Sequence, residues 1–332
     1  MRMIRRPAAF ASLVMLIACS SGSGDLGSGG AGTGSSGGGS SSGGSSSGAS
    51  SSGGSSSGGS SSGGSSSGSG GKGDAGTHDA QPGDDGSWGG DGSVPSIDGG
   101  LDPKVAPGGN FDLSVWELQE PVGSPGSPTT ISPAQLTGPG GFHDTYFFTD
   151  PTDGSMSFWD PENGVTTANS SYPRSELREM TAGGAAANWM PTGTNTLSAT
   201  LKATQIPDHV AVGQIHLGTG TPASTKPLLE LFYFATGSIV MAIEQTPAGG
   251  NEVQHTVGTV ALGTPWSYVI GLTGDTITLV IDGGATQTWA MSSTFNQEGM
   301  YFKAGDYDQS VGSSATVGAK VQFYGLAVHH GP

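Results

Sequence analysis

Three short stretches of this chain concentrate side chains that can hold a charged ligand and move a proton: "RSELRE" (174–179), "QIH" (214–216) and "YFKAGDYDQ" (301–309). Read with the two-residue period of a strand, Arg174, Glu176 and Arg178 share one face, with Ser175, Leu177 and Glu179 on the other. Gln214 and His216 share a face while Ile215 points away, and Tyr301, Lys303, Tyr307 and Gln309 share a face with Gly305 between them. The planar fork of an arginine suits a carboxylate. Histidine, at about 6.5, and tyrosine, at about 10, are side chains that can pass a proton. Singly, each feature also has a plain explanation. Alternating Arg and Glu fit an exposed strand with cross-strand ion pairs, a lone histidine fits the surface, and a lone tyrosine fits packing.

The elements that must carry these stripes are strands. "NTLSATLKATQ", "LLELFYFATGSIVMAIEQ", "WSYVIGLTGDTITLVIDGGATQTWAM" and "KVQFYGLAVHH" are rich in Val, Ile, Thr and aromatics and broken by Gly, Pro and Asp. No helix-period run of ten or more residues interrupts them. "LTGDTITLVIDGG" predicts a hairpin turning at Gly274-Asp275, with Ile277, Leu279 and Ile281 facing a core. The fold class is all-β: a two-sheet antiparallel β-sandwich of jelly-roll type. One face of each sheet in such a sandwich must be dry and the other can be wet, so the polar stripes are expected to line an outer, concave groove.

This folded part is assigned to residues 108–332. Residues 20–107 read as a linker. Much of the chain's 61 glycines lies in the Ser/Gly tract before Gly71, followed by an Asp/Gly/Pro-rich stretch with neither period. About 85 such residues reach about 50 Å on average, the scale of a spacer. Residues 1–19 carry Arg2, Arg5 and Arg6, then an apolar run from Pro7 to Ala18, too short to cross a bilayer and of signal-peptide length. The order Leu16, Ile17, Ala18, Cys19 resembles a bacterial lipoprotein box. Lipidation of Cys19, the only cysteine, is therefore expected, with export to the cell surface or outer membrane, the lipid anchor as the only membrane contact, and no disulfide. A plain signal peptide is the alternative. The chain is acidic, with 11 Lys plus Arg against 27 Asp plus Glu, which points away from a nucleic-acid partner. Net charge constrains solubility more than it constrains one groove, and Arg174, Arg178 and Lys303 are among the few cations of the folded part.

The three blocks, in this order and at this spread, resemble those of the alginate lyases of polysaccharide lyase family 7, and "NFDLSVWELQEP" near residue 110 is similar to that family's first strand. The resemblance implies a jelly roll whose concave sheet binds an acidic polysaccharide and cleaves it by β-elimination, with no metal and no organic cofactor; a monomer is expected. It implies that Arg174 and Gln214 neutralise the uronate carboxylate, and that His216 and Tyr307 remove the C5 proton and protonate the leaving oxygen. Glu176 and Arg178 then read as substrate-binding and orienting groups, and Lys303, Tyr301 and Gln309 as substrate-binding. Lys303, about 13 Å from Tyr307 along an extended strand, is expected to hold a neighbouring uronate rather than to tune the tyrosine. Nearby cations are expected to help Tyr307 toward a reactive state. The isoleucine of "QIH", Ile215, is associated with acceptance of guluronate-containing blocks. Asp306 and Asp308 point off the groove by alternation, although a bulge at Gly305 would turn them against a polyanion. A lyase for another polyuronate, such as glucuronan, and a non-catalytic carbohydrate-binding module are the alternative readings.

Overall fold

The computed structural model describes residues 100–218 and 226–332. The expected leader with Cys19, and the expected linker as far as residue 99, lie outside the described residues. An eight-stranded sheet runs, neighbour to neighbour, β10 (Val253–Thr259), β9 (Ser238–Ile243), β8 (Pro227–Phe234), β7 (His209–Leu217), β14 (Met300–Asp308), β5 (Ser175–Glu179), β1 (Trp116–Ser124) and β2 (Ser127–Ile131). A seven-stranded sheet runs β13 (Gln287–Ala290), β12 (Thr276–Ile281), β11 (Trp266–Thr273), β6 (Thr194–Gln205), β15 (Gly318–Gly331), β4 (Met156–Pro161) and β3 (Phe147–Thr149). All pairings within the sheets are antiparallel. Helix is confined, among the described residues, to α1 (Pro107–Asn110), α2 (Pro133–Leu136) and one 3₁₀ turn. The expected hairpin is β11–β12, with Thr273 opposite Thr276 and Gly274 at φ 58° in the turn.

The core lies between the sheets, and alternation decides which residues enter it. Leu177 of β5, Ile215 of β7, Phe302 and Ala304 of β14, and Ile277 and Leu279 of β12 all belong to it. A local bulge in β7 sends two consecutive residues inward. Val212 is in the core, and a side chain at Gly213 would meet the Tyr268 hydroxyl at 2.6 Å. Tyr268 donates to the Val212 carbonyl at 2.8 Å, so this glycine permits the close approach of the two sheets.

The folded part starts before Gly108, which corrects the expected boundary. Leu101 packs against the core, Ala106 is buried and donates its backbone N–H to Pro139 O at 2.9 Å, and the Asn110 amide donates to Asp102 O at 2.9 Å. A single leucine in a polar stretch carries no period, which is why the sequence hides this segment.

β14 does slip in register against β7, between Ala304 and Tyr307. Asp306 and Asp308 nevertheless face the interior, both fully buried. Burial drives the carboxyls of Asp306 and of Asp160, on β4 of the other sheet, well above the ordinary range, and Asp160 further raises Asp306. Both Asp306 oxygens and Asp160 Oδ1 are buried without a hydrogen-bond partner. These groups titrate near about 3.9 in an unfolded chain but keep their protons to higher pH when folded, so stability falls as pH rises from the first value toward the second. Asp306→Asn is expected to raise Tm, and to raise it more at pH 8 than at pH 5. Thermal unfolding followed by circular dichroism checks this; an equal shift at both pH values would rule out a burial cost at Asp306.

Candidate active site

The three polar stripes meet on the outer face of the eight-stranded sheet because β5, β14 and β7 are adjacent there. Register sets Lys303 opposite both Arg178 and Gln214, Tyr301 opposite His216, and Gly305 opposite Glu176. Gly305 has φ 147°, and a Cβ there would lie 2.8 Å from both Glu176 Cα and Ser175 O. Any larger residue would push β14 away from β5 at the point where the site is assembled.

Glu176 is the centre of the arrangement. Its side chain has no exposure. Oε1 accepts from Gln214 Nε2, while Oε2 accepts from Lys303 Nζ and, at 3.4 Å, from Arg174 Nη1. Of the binding and orienting roles expected for Glu176, the binding one is corrected: the carboxylate faces three protein donors, so its part is to orient groups that could touch a ligand. Arg174 and Gln214 are likewise recessed, at 7% and 1% exposure, as are Lys303 and Tyr301. Arg174 Nε is buried without a partner.

Tyr307 lies over the other side of Arg174, whose guanidinium carbon is 3.8 Å from the ring centroid. Ser170 Oγ is 3.1 Å from the Tyr307 hydroxyl and accepts from Arg174 Nη2 at 3.1 Å, and Tyr172 packs edge-on against the ring. Burial pushes the Tyr307 hydroxyl up; Arg174 pulls it down but is outweighed. The cation expected to favour ionisation is thus present, and the resting side chain is still a protonated phenol. Ser170, in the "NSSY" loop, was not singled out in the sequence, where a serine among serines carries no signal.

Two placements differ from expectation. Lys303 Nζ is 5.8 Å from the Tyr307 ring centroid, because a lysine side chain reaches along the strand and the distance between α-carbons says little about where its ammonium lies. Burial and Arg174 push Lys303 down to about 8, against the pull of Glu176. Gln309 lies just past the end of β14 and donates to the Tyr307 carbonyl at 3.2 Å, so its amide braces the tyrosine's backbone.

His216 is half-buried and stacks on Tyr301, with centroids 5.1 Å apart, and Arg178 stacks over that same tyrosine at 4.2 Å. His216 Nδ1 is 3.0 Å from the Leu217 carbonyl. A carbonyl only accepts, so Nδ1 carries the proton and Nε2 keeps its lone pair. Burial first, then Lys303, Arg174 and Arg178, pushes the imidazole down to about 3. It is a neutral proton acceptor at ordinary pH. The arrangement therefore combines a neutral base, a protonated phenol and a cluster of cations in one recess, which suits abstraction of a proton next to a carboxylate. Among the described residues, no group of three or more His, Cys, Asp or Glu side chains is arranged to hold a metal ion.

A family model described as alginate lyase matches residues 111–330. An alginate lyase of Klebsiella pneumoniae is 30% identical over 282 residues, covering 68% of this chain and 92% of that protein. The crystal structure of alginate lyase A1-II′, a member of polysaccharide lyase family 7, is similar with a TM-score of 0.60 at 37% identity, over 68% of this chain and 99% of that one. A Pseudomonas aeruginosa alginate lyase is similar with a TM-score of 0.60 at 32% identity, over 66% and 99%. A His-to-Asn, Tyr-to-Phe variant of A1-II′ in complex with substrate (GGMG) is similar with a TM-score of 0.61 at 35% identity, over 68% and 97%.

Removing the Glu176 charge leaves two recessed cations without their counter-ion, and breaking a buried pair costs about 3–5 kcal/mol. Glu176→Gln is expected to lose stability on that scale at pH 7 by chemical denaturation. The loss should shrink at pH 9, where Lys303, already low, gives up its proton. A variant as stable as the parent at pH 7 would show that Glu176 does not hold the cluster.

Proposed function

The chain belongs to the alginate lyases of polysaccharide lyase family 7, and on that premise we propose that it cleaves alginate by β-elimination with Arg174, Gln214, His216 and Tyr307 around the reacting uronate. The reading is carried by one observation: the Tyr307 ring lies 3.8 Å from the Arg174 guanidinium and 5.8 Å from the Lys303 ammonium, on the strand next to the one that carries Gln214 and His216. A uronate resists losing its C5 proton because its carboxylate is already negative. Donors aimed at that carboxylate remove the obstacle, and one such preorganised donor is typically worth about 3–4 kcal/mol. Arg174 supplies a charge, and Gln214, with Nε2 held by Glu176, keeps its remaining groups for the sugar.

His216 Nε2 then takes the C5 proton. The electron pair left at C5 forms the C4–C5 double bond, the C4–O bond breaks, and the departing oxygen takes the Tyr307 proton. The product carries an unsaturated uronate at its new non-reducing end, and the proton on His216 returns to Tyr307 through solvent. Resting protonation states of this kind favour sugars whose C5 proton and leaving oxygen lie on opposite faces, guluronate in alginate. On a sugar with both on one face, Tyr307 would serve as base and acid. Substitution of a histidine and a tyrosine in the substrate complex of the similar enzyme agrees with this pairing of residue types.

Export and anchoring complete the proposal. The basic, apolar and small-residue order of residues 1–19 supports secretion, Cys19 is the residue to be lipidated, and the Ser/Gly tract spaces the enzyme from the surface.

Tyr307→Phe is expected to lower kcat by about 10²- to 10⁴-fold, read as the ultraviolet absorbance of the unsaturated uronate, while binding of alginate oligosaccharides persists. Undiminished turnover would remove Tyr307 from the chemistry. Cys19→Ser is expected to move the protein from the membrane fraction of expressing cells to the soluble fraction; unchanged membrane association would refute lipidation at Cys19.

A further inference from the structure

Among the further ionisable side chains on this face are Glu117 of β1, opposite Arg178, and Glu230 of β8, opposite Gln214. Register places Arg178, Lys303, Gln214 and Glu230 opposite one another on the four successive strands β5, β14, β7 and β8. The first three form part of the site; the fourth has no role in the chemistry above. Leu229 and Leu231, on either side of Glu230, lie in the core, so alternation turns Glu230 to the outer face. Adjacent strands are about 4.8 Å apart, which sets Glu230 one strand beyond Gln214. The row then passes to Ala242 of β9 and Gln254 of β10.

A charged carboxylate at Glu230, one strand from Gln214, would repel a polyanion there and compete for the cations of the site. The surroundings argue against that charge. Glu252, just before β10, and Glu176, on β5, disfavour ionisation; Arg174 and Lys303 favour it; the facing residues of β7 and β9, Gln214 and Ala242, are uncharged. Burial is the largest influence, no hydrogen bond is among them, and the carboxyl is pushed up to about 8.

We propose that Glu230 is a further substrate-binding residue, a neutral carboxylic acid that donates its O–H to the carboxylate of a uronate next to the reacting sugar, in a polymer lying across the strands along the row Arg178, Lys303, Gln214, Glu230. The proposal rests on the alginate lyase reading of the site. An O–H donor on a carboxylate makes a short, strong hydrogen bond, and it adds no net charge. Ionisation turns the same side chain from donor to repellent, so Glu230 limits binding on the alkaline side and favours a polyuronate over a neutral glycan.

The experiment measures KM and kcat on alginate for the parent, Glu230→Gln and Glu230→Ala between pH 6.5 and 9.5. Lys303, pushed down to about 8, loses its charge over the same range, and Glu230 is among the groups that raise it; that influence is absent from both variants alike, so the ratio of the Ala to the Gln variant isolates the donor at position 230. At pH 6.5 the Gln variant, which keeps a donor, is expected to match the parent within about twofold, and the Ala variant to raise KM about tenfold. By pH 9, the KM of the parent should exceed that of the Gln variant by about tenfold, as one ionisation near 8 requires, with the kcat ratio steady. A KM ratio that stays flat with pH, or an Ala variant with the parent's KM at pH 6.5, would overturn the proposal. Should the Ala variant not fold, the pH dependence of the Gln ratio decides. A parent that makes no unsaturated uronate from alginate would instead bring down the activity reading itself, a result distinct from a flat ratio.

Discussion

The site depends on one carboxylate that no solvent reaches. Glu176 joins Gln214 from β7, Lys303 from β14 and Arg174 from the approach to β5. Long side chains with many rotamers are thereby held in one geometry before a ligand arrives, which matters because ordering each of them on binding would otherwise weaken affinity. Gly305 contributes by absence: only a residue without a side chain lets β14 lie against β5 at the level of Glu176.

The same cluster sets the protonation of its neighbours in opposite senses. Lys303, Arg174 and Arg178 disfavour a charged imidazole and so reinforce burial in keeping His216 neutral, whereas Arg174 favours a phenolate and so works against burial at Tyr307. One cationic field therefore supports a free lone pair on the histidine and moderates the tyrosine. Two groups with separated proton affinities in one site are what an acid and a base require. The acidity of the whole chain does not conflict with this, because Arg174, Arg178 and Lys303 are gathered here while Asp160, Asp306 and Asp308 are turned into the interior, away from the binding face.

The β-sandwich and the faces of its strands were legible because a sheet between a core and solvent imposes a period of two, and Leu177, Ile215 and Phe302 keep it. The β7 bulge, which turns both Val212 and Gly213 inward, was not legible, since a glycine in a strand marks a bulge and a close approach alike. Leu101 and Ala106 lie in a polar segment without any repeat, which gives their burial no local signal.

The sequence by itself determined which side chains share a face where alternation runs unbroken, and which chemistry they could perform, because alternation is local and residue type is explicit. Only the tertiary structure decided that Glu176 faces protein donors instead of a ligand, that Lys303 comes within reach of the Tyr307 ring, that Gln309 braces a backbone carbonyl, and that Ser170 and Glu230 join the recess. The reason is physical: partners, burial and proton affinity are set by which strands lie side by side, and that order is a property of the whole chain.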